Sequence, residues 1–348
     1  MNHAAPKIVG NTLSEPPHLW QPPPERLRVL VLIPGTVHEF HDLYGRWLGE
    51  AVQALGATVT VCTVDAVPPG GYELCLIANI SEVLDHAGTD GRSLLSRVCL
   101  QCESTVALTW DCVRTNEYRR GLEHCRALGI RRVLDLGYAE QGEPVQKQGF
   151  RYDFVFDGLL KSQTQLQHVA DPGPERTIPW AFVGLNQPRW VALAHQLVKE
   201  FDPGGFIYLP EVSALKKPGA PHLGPRQLLK VLERTQFYVW CSHHEHFSME
   251  LLRFKSAWMA GCVPIKVVGD RDQLPAHLPF ADLVVRESHV AEMLNCLDFQ
   301  ESWQTFAAEY LRFPRLEDEI RRWLTTCGFV QPSTVHGNGP ASSLKRVA

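Results

Sequence analysis

Side chains able to do chemistry gather at a few places in this chain. The segment SHHEHFS sets His243, His244 and His246 around Glu245. Imidazoles two or three apart in a loop can converge on a metal, can contact phosphate or sugar oxygens, or can simply make a loop polar. Arg253 interrupts the apolar helical stretch LLRFKSAWMAG, and its planar, permanently charged fork suits phosphate. Lys255 and Lys266 are alternatives for the same charge. The turn from Gly184 to Arg189 joins a glycine, which lets backbone approach a ligand, to a second guanidinium. Asp272 and Gln273 follow in GDRDQLP. In the first half, His38, His41 and Asp42 crowd PGTVHEFHD, and Asp111 ends another apolar run. A histidine titrates near neutrality and serves as a general base without a large shift, and a carboxylate beside it orients the ring. Cys99 and Cys102 form a lone C-x-x-C; a structural zinc site usually shows a second pair, so no metal is expected.

The elements that must carry these groups alternate between strand and helix. RVLVLI at Arg28–Ile33 is a β-branched run of the kind found in buried parallel strands. DLYGRWLGEAVQALG then places Leu43, Trp47, Leu48, Ala51, Val52 and Leu55 at helical spacing and stops at Gly56. Strands are expected at Thr58–Val64, Tyr72–Ala78, Thr105–Trp110, Arg131–Leu136 and Tyr152–Phe156, with helices over LLSRVCLQC and Asn116–Leu128. The polar stretch KSQTQLQHVADPGPERT marks a boundary near residue 175. The pattern restarts with strands at Ile178–Val183, Phe206–Leu209, Phe237–Cys241, VPIKVV and Asp282–Val285. The helices PRWVALAHQLVKEF, PRQLLKVLERT, MELLRFKSAWMAG and Val290–Leu297 lie among them, and two more begin near Glu301 and Leu316. This is the alternation of two doubly wound sheets, with a ligand cleft at the carboxyl ends of both sets of strands. The expected division is an arm over 1–26, one domain over 27–175, a second over 176–330, and a disordered tail over 331–348.

The bulk numbers narrow the classes. At 348 residues, 45% hydrophobic and 21% charged, the chain suits a two-domain globular protein. A net charge of −4 argues against broad nucleic-acid binding. No apolar run reaches the length of a transmembrane helix, and the first residues lack the apolar core of a signal peptide. Ten cysteines, several inside apolar segments, fit packed thiols in the cytoplasm. The first strand is followed by PGTVHEF and not by G-x-G-x-x-G, which argues against a nicotinamide dehydrogenase.

Three segments of the second half, AFVGLNQPRWVALAHQL, GAPHLGPRQLLKVLERTQFYVWCS and RFKSAWMAGCVPIKV, come in the order found in the donor domain of GT-B glycosyltransferases. They resemble the spore-maturation-type branch most. The resemblance implies two Rossmann-like α/β domains, a donor domain at the second position, and contacts to a nucleotide-diphosphate sugar from Gly184, Arg189, His243, His244, Glu245 and Arg253, while Asp272 and Gln273 are similar to an acid-amide pair that touches the sugar in the inverting branch. Ser256 stands where the family has a ribose-holding glutamate. PGTVHEFHDLYGRWLGEAVQALGATVTV is similar to the opening of the inverting branch, which puts His41 on that branch's general base; Asp111, ending another strand of the same sheet, is placed to orient it. Phe40 and Tyr44 replace the glycine and proline of that pattern. The resemblance thus implies sugar transfer from a nucleotide-diphosphate donor to an acceptor hydroxyl, with inversion, no essential metal and no separate cofactor. The alternatives are a sugar-nucleotide epimerase or related enzyme on the same fold, and a non-catalytic nucleotide-binding module.

Overall fold

The computed structural model describes residues 27–35, 40–110, 113–137, 142–165, 176–211, 223–242, 247–275 and 277–330. The first half runs β1 (Arg28–Leu32), α1 (Phe40–Gln53), β2 (Thr58–Cys62), β3 (Tyr72–Ala78), α2 (Ile80–His86), α3 (Gly91–Leu100), β4 (Cys102–Thr109), α4 (Asn116–Ala127), β5 (Arg132–Asp135), α5 (Gly142–Gln146) and β6 (Arg151–Phe154). The second half runs β7 (Ile178–Val183), α6 (Pro188–Glu200), β8 (Phe206–Tyr208), α7 (Pro225–Leu232), β9 (Thr235–Cys241), α8 (Leu251–Ala260), β10 (Val263–Val268), β11 (Val284–Arg286), α9 (Val290–Cys296), α10 (Phe299–Tyr310) and α11 (Leu316–Thr326).

Each half builds one parallel sheet. The first has the order β2-β1-β3-β4-β5-β6 and the second β11-β10-β9-β7-β8. Every pairing is parallel. Such strands are covered on both faces, which explains the near-continuous burial of β1, β3, β9 and β10. Strand order reverses between β1 and β3 in the first sheet, and between β7 and β9 in the second. Chains leaving neighbouring strands there turn to opposite faces and open a crevice at the carboxyl ends, where doubly wound proteins bind ligands.

Most expected elements are present with ends shifted by a few residues. Two short helices, α2 and α5, carry too few turns to show periodicity and were not expected from the sequence. The strand expected from Thr105 begins at Cys102, so the C-x-x-C pair straddles the end of α3, and Cys102 Sγ bonds Val98 O at 3.2 Å. The boundary expected near residue 175 lies outside the described residues.

The halves are stitched by two chain crossings. Residues 155–161 leave β6 for the second half, and residues 311–316 bring the chain back. At their crossing a Cβ on Gly158 would lie 2.1 Å from Pro314 O, so only glycine lets the two backbones pass. Leu316 N donates to Leu159 O at 3.1 Å, and Lys161 N to Glu317 Oε1 at 2.7 Å. Helix α11 then buries Leu316, Ile320, Trp323 and Leu324 in the core of the first sheet, although it follows the whole second half in sequence. Helices α1 and α8 meet between the halves. Phe40 packs against the second core, Leu252 and Met259 against the first, and Lys255 Nζ sits 4.2 Å from the ring centre of Trp47.

Candidate functional site

At the reversal point of the first sheet, α1 begins at Phe40 and places His41 in its first turn. Here Gly35 N donates to Asp42 Oδ1 at 2.9 Å, tying the loop after β1 to the helix start. Burial raises the Asp42 carboxyl above its usual value, and the Gly35 hydrogen bond offsets part of that. The chain leaving β3 reaches His41 from the other side. Asn79 adopts φ 52° and ψ 83°, and its side chain accepts from Glu82 N at 3.3 Å, starting α2. That turn brings the Glu82 carboxylate into direct contact with His41 Nδ1, with side chains 27% and 21% exposed. The Asn79 Nδ2 atom lies 3.3 Å from the same ring nitrogen. A carboxylate in direct contact accepts from Nδ1–H and so holds the ring proton on Nδ1, which leaves the lone pair on Nε2, as a general base requires. The ring rests on Trp110, 4.9 Å between centroids, and Trp110 stacks in turn on Tyr44 at 4.5 Å.

Asp111, expected as the acid beside His41, lies outside the described residues, as does His38. The acid found there is Glu82, which sequence reasoning missed. Its signal was present: Asn79-Ile80-Ser81-Glu82 follows a strand and has the N-cap–x–x–Glu spacing of a capping box. Glu82 turns its carboxylate to His41 instead of closing the box.

The reversal point of the second sheet joins the ends of β7 and β9. Trp190 of α6 donates Nε1–H to Ser242 O at 3.2 Å. A Cβ on Gly184 would fall 1.2 Å from Trp190 Cζ3, so the indole itself demands glycine there. Arg253 of α8 lies beneath this turn. Its Nη1 donates to Val183 O at 3.0 Å and Tyr238 OH at 2.5 Å, and its Nε to Glu250 Oε1 at 3.2 Å. Its Cζ lies 6.0, 5.8 and 5.9 Å from the ring centres of Trp190, Tyr238 and Trp240. Glu250, the residue before α8, has φ 54° and ψ 54°, a left-handed backbone that is costly for a side chain with a Cβ. Its Oε2 accepts from Trp240 Nε1 at 3.1 Å and from Lys266 Nζ in a direct ion pair. Burial alone would raise the Glu250 carboxyl, but the charges of Lys266 and Arg253 outweigh it and hold the group below its usual value. Burial lowers Lys266 despite the opposing pull of Glu250. One carboxylate against two cations leaves the cluster with net positive charge.

Arg189 stands at the edge of this region. Its Nε donates to Glu287 Oε2 at 3.2 Å, and Nη2 lies 4.0 Å from Asp272 Oδ2. That Nη2 and the Oγ of buried Ser242 are solvent-inaccessible and have no hydrogen-bond partner among the described residues. Two buried polar groups with no hydrogen-bond partner among the described residues thus sit close to this strand-end crevice.

The other expected residues are placed as follows. Lys255 and Lys266 are both fully buried and spent on Asp157 and Glu250, so neither is a surface cation for phosphate. Asp272 folds its own turn, accepting from Gly269 N at 2.7 Å, and Gln273 is exposed beside it. Ser256 is buried in α8. The cluster His243, His244, Glu245 and His246 lies outside the described residues. Among the described residues no three histidine, cysteine or acidic side chains are grouped to hold a metal ion.

No family model matches the chain, and no curated protein matches it in sequence. Its shape is similar to solved structures. One is Anabaena HepE in complex with UDP and glucose, at 11% identity and TM-score 0.50, covering 86% of this chain and 100% of that one. Another is an α-glucosyltransferase in complex with UDP and a DNA 13-mer containing an HMU base, at 8% identity and TM-score 0.53, covering 86% and 98%. The fold is the two-domain GT-B arrangement of Rossmann-like α/β halves.

Proposed function

We propose that this protein transfers a sugar from a nucleotide-diphosphate donor to an acceptor hydroxyl, with inversion and without an essential metal. One observation carries the proposal. The reversal point of one sheet holds a His41–Glu82 pair, and that of the other holds a net-positive arginine cluster. Helices α1 and α8, which begin at these two places, pack together between the halves.

In this reaction His41 Nε2 takes the proton of the acceptor hydroxyl as its oxygen bonds to the anomeric carbon. The bond from that carbon to the diphosphate breaks, and the electron pair leaves with the nucleoside diphosphate. Glu82 steadies the imidazolium. The growing negative charge is met by Arg253 Nη2, which has no partner among the described residues, by Arg189, and by the start of α8. There the Glu250 side chain makes no capping bond, and the amides of Leu251 and Leu252 are the ones offered to a ligand, since Arg253 N donates to Glu250 O. Fully fixed donors of this kind substitute for a metal ion. UDP is the first nucleotide to test, because both structural neighbours hold it. The described cysteines are all free, which fits a cytoplasmic enzyme.

The test is calorimetry with UDP, GDP, ADP, CMP and dTDP, without and then with Mg²⁺. The expected result is selective binding of one diphosphate without metal, weakened at least tenfold in Arg189→Ala and Arg253→Ala. Release of that diphosphate from its sugar donor then depends on His41. Folded protein that binds none of the five would defeat the proposal. Donor epimerisation without transfer would replace it with the epimerase alternative.

A further inference from the structure

The ion pair between Lys255 and Asp157 lies away from both strand-end sites, yet it is the most deeply buried charge pair among the described residues. The two side chains are 0% and 1% exposed. Lys255 Nζ donates to Asp157 Oδ1 at 2.8 Å and to Gly158 O at 2.9 Å, and stands over the face of Trp47. Tyr310 OH donates to Asp157 O at 3.0 Å. The second carboxylate oxygen, Oδ2, is buried with no hydrogen-bond partner among the described residues. Burial raises Asp157 and lowers Lys255, each opposed by the other's charge. An incompletely satisfied buried pair is a poor source of stability, because apolar side chains of similar volume often hold a core as well or better. What such a pair adds is direction: the Nζ contacts are met in one geometry only.

That geometry joins the two helices that start at the two sites. His41 and Trp47 are six residues apart on α1, so the site lies about 9 Å along the helix from the contact. Glu250 precedes α8 and Lys255 follows five residues later, about 8 Å along. Two rigid arms of similar length are pinned at one charged joint, and the joint is braced by the crossing at Gly158. We propose that Lys255 is a positioning residue: its pair with Asp157 sets the separation between His41 and the Arg253 cluster. The proposal rests on the sugar-transfer reading for its effect on rate, but not for its effect on geometry.

The test replaces the pair with apolar residues, Lys255→Met with Asp157→Leu, which removes the directional contacts without stranding a charge. Nitroxides attached through a non-natural amino acid at positions 123 and 199, on the exposed faces of α4 and α6, report the distance between the halves by pulsed electron resonance. A thermal melt confirms folding. If the variant does not fold, Lys255→Met with Asp157→Asn, closer in shape and equally without the Nζ contacts or a stranded charge, is read the same way. The expected result is a broadened distance distribution, UDP affinity within threefold of wild type, and turnover of the UDP-sugar reduced about 100-fold, the size of effect a 1 Å misplacement produces. An unchanged distribution overturns the proposal, as does a broadened one with unchanged turnover. Should wild type bind UDP and turn over no donor, the sugar-transfer reading fails, and the distance distribution still decides whether Lys255 positions the halves.

Discussion

Glu82 offers a graded test of the base assignment, because two substitutions there act on His41 differently. In Glu82→Gln the amide oxygen still accepts from Nδ1, so the tautomer survives and only the charge is lost. A hydrogen bond to a charged partner contributes about 1.5–3 kcal/mol, which corresponds to about 10- to 150-fold in rate. The lower part of that range is expected, since the Glu82 side chain is 27% exposed and water screens the pair. In Glu82→Ala the carboxylate no longer claims the Nδ1 proton. The amide of Asn79, 3.3 Å away, then donates to Nδ1 and moves the ring proton to Nε2. An Nε2–H imidazole cannot accept the acceptor's proton, and a triad histidine forced into the wrong tautomer loses about 10⁴-fold. Nitrogen-15 shifts of His41 read the tautomer directly: Nδ1–H in wild type and Glu82→Gln, Nε2–H in Glu82→Ala. Release of nucleotide from the donor reads the rate. If both variants keep the wild-type tautomer and stay within threefold of its rate, Glu82 is not the partner that matters.

Other expectations are simpler. Gly184→Ala drives a methyl into the Trp190 ring and is expected to destabilise the fold by about 1–3 kcal/mol or more in urea unfolding. Glu250→Gln leaves fully buried Lys266 without its counter-charge, at a cost of about 3–5 kcal/mol by the same measurement. Because the folded Glu250 is held below its ordinary value, its contribution is present above the unfolded carboxyl's pKa and is lost as pH falls through the folded one. Acid titration of stability between roughly pH 5 and pH 2 is therefore expected to be shallower in Glu250→Gln than in wild type. Burial pushes the Cys125, Cys241 and Cys262 thiols up to about 12, whereas Cys296 is exposed. Among the described cysteines a maleimide at pH 7.5 should label Cys296 first, as peptide mapping will show.

The strands were legible because burial on both faces writes itself as an uninterrupted β-branched run, as in RVLVL and VPIKVV. The helix carrying Arg253 was legible from its ends and its closing glycine. The chemistry around Arg253 was not, since its partners Val183 and Tyr238 lie 70 and 15 positions away. Glu82 sits 41 positions from His41, on a helix of seven residues, where a face has no room to repeat. Gly184 was visible as a constrained turn, but the constraint comes from an indole six residues on. Lys255 and Lys266 carried a readable hint, since a lysine embedded in an apolar element must find a carboxylate. Which carboxylate depends on how two sheets dock, and that is a property of the whole chain.

The return of α11 to the first sheet has a bearing on how the protein is made. Leu316, Ile320, Trp323 and Leu324 complete a core whose strands are synthesised long before them. From residue 165 to residue 316 a ribosome needs roughly 8–30 s. For that interval the nascent first half carries an open apolar face that its own chain cannot yet cover. A fragment ending near residue 165 would leave the face open permanently and would be a substrate for aggregation or degradation.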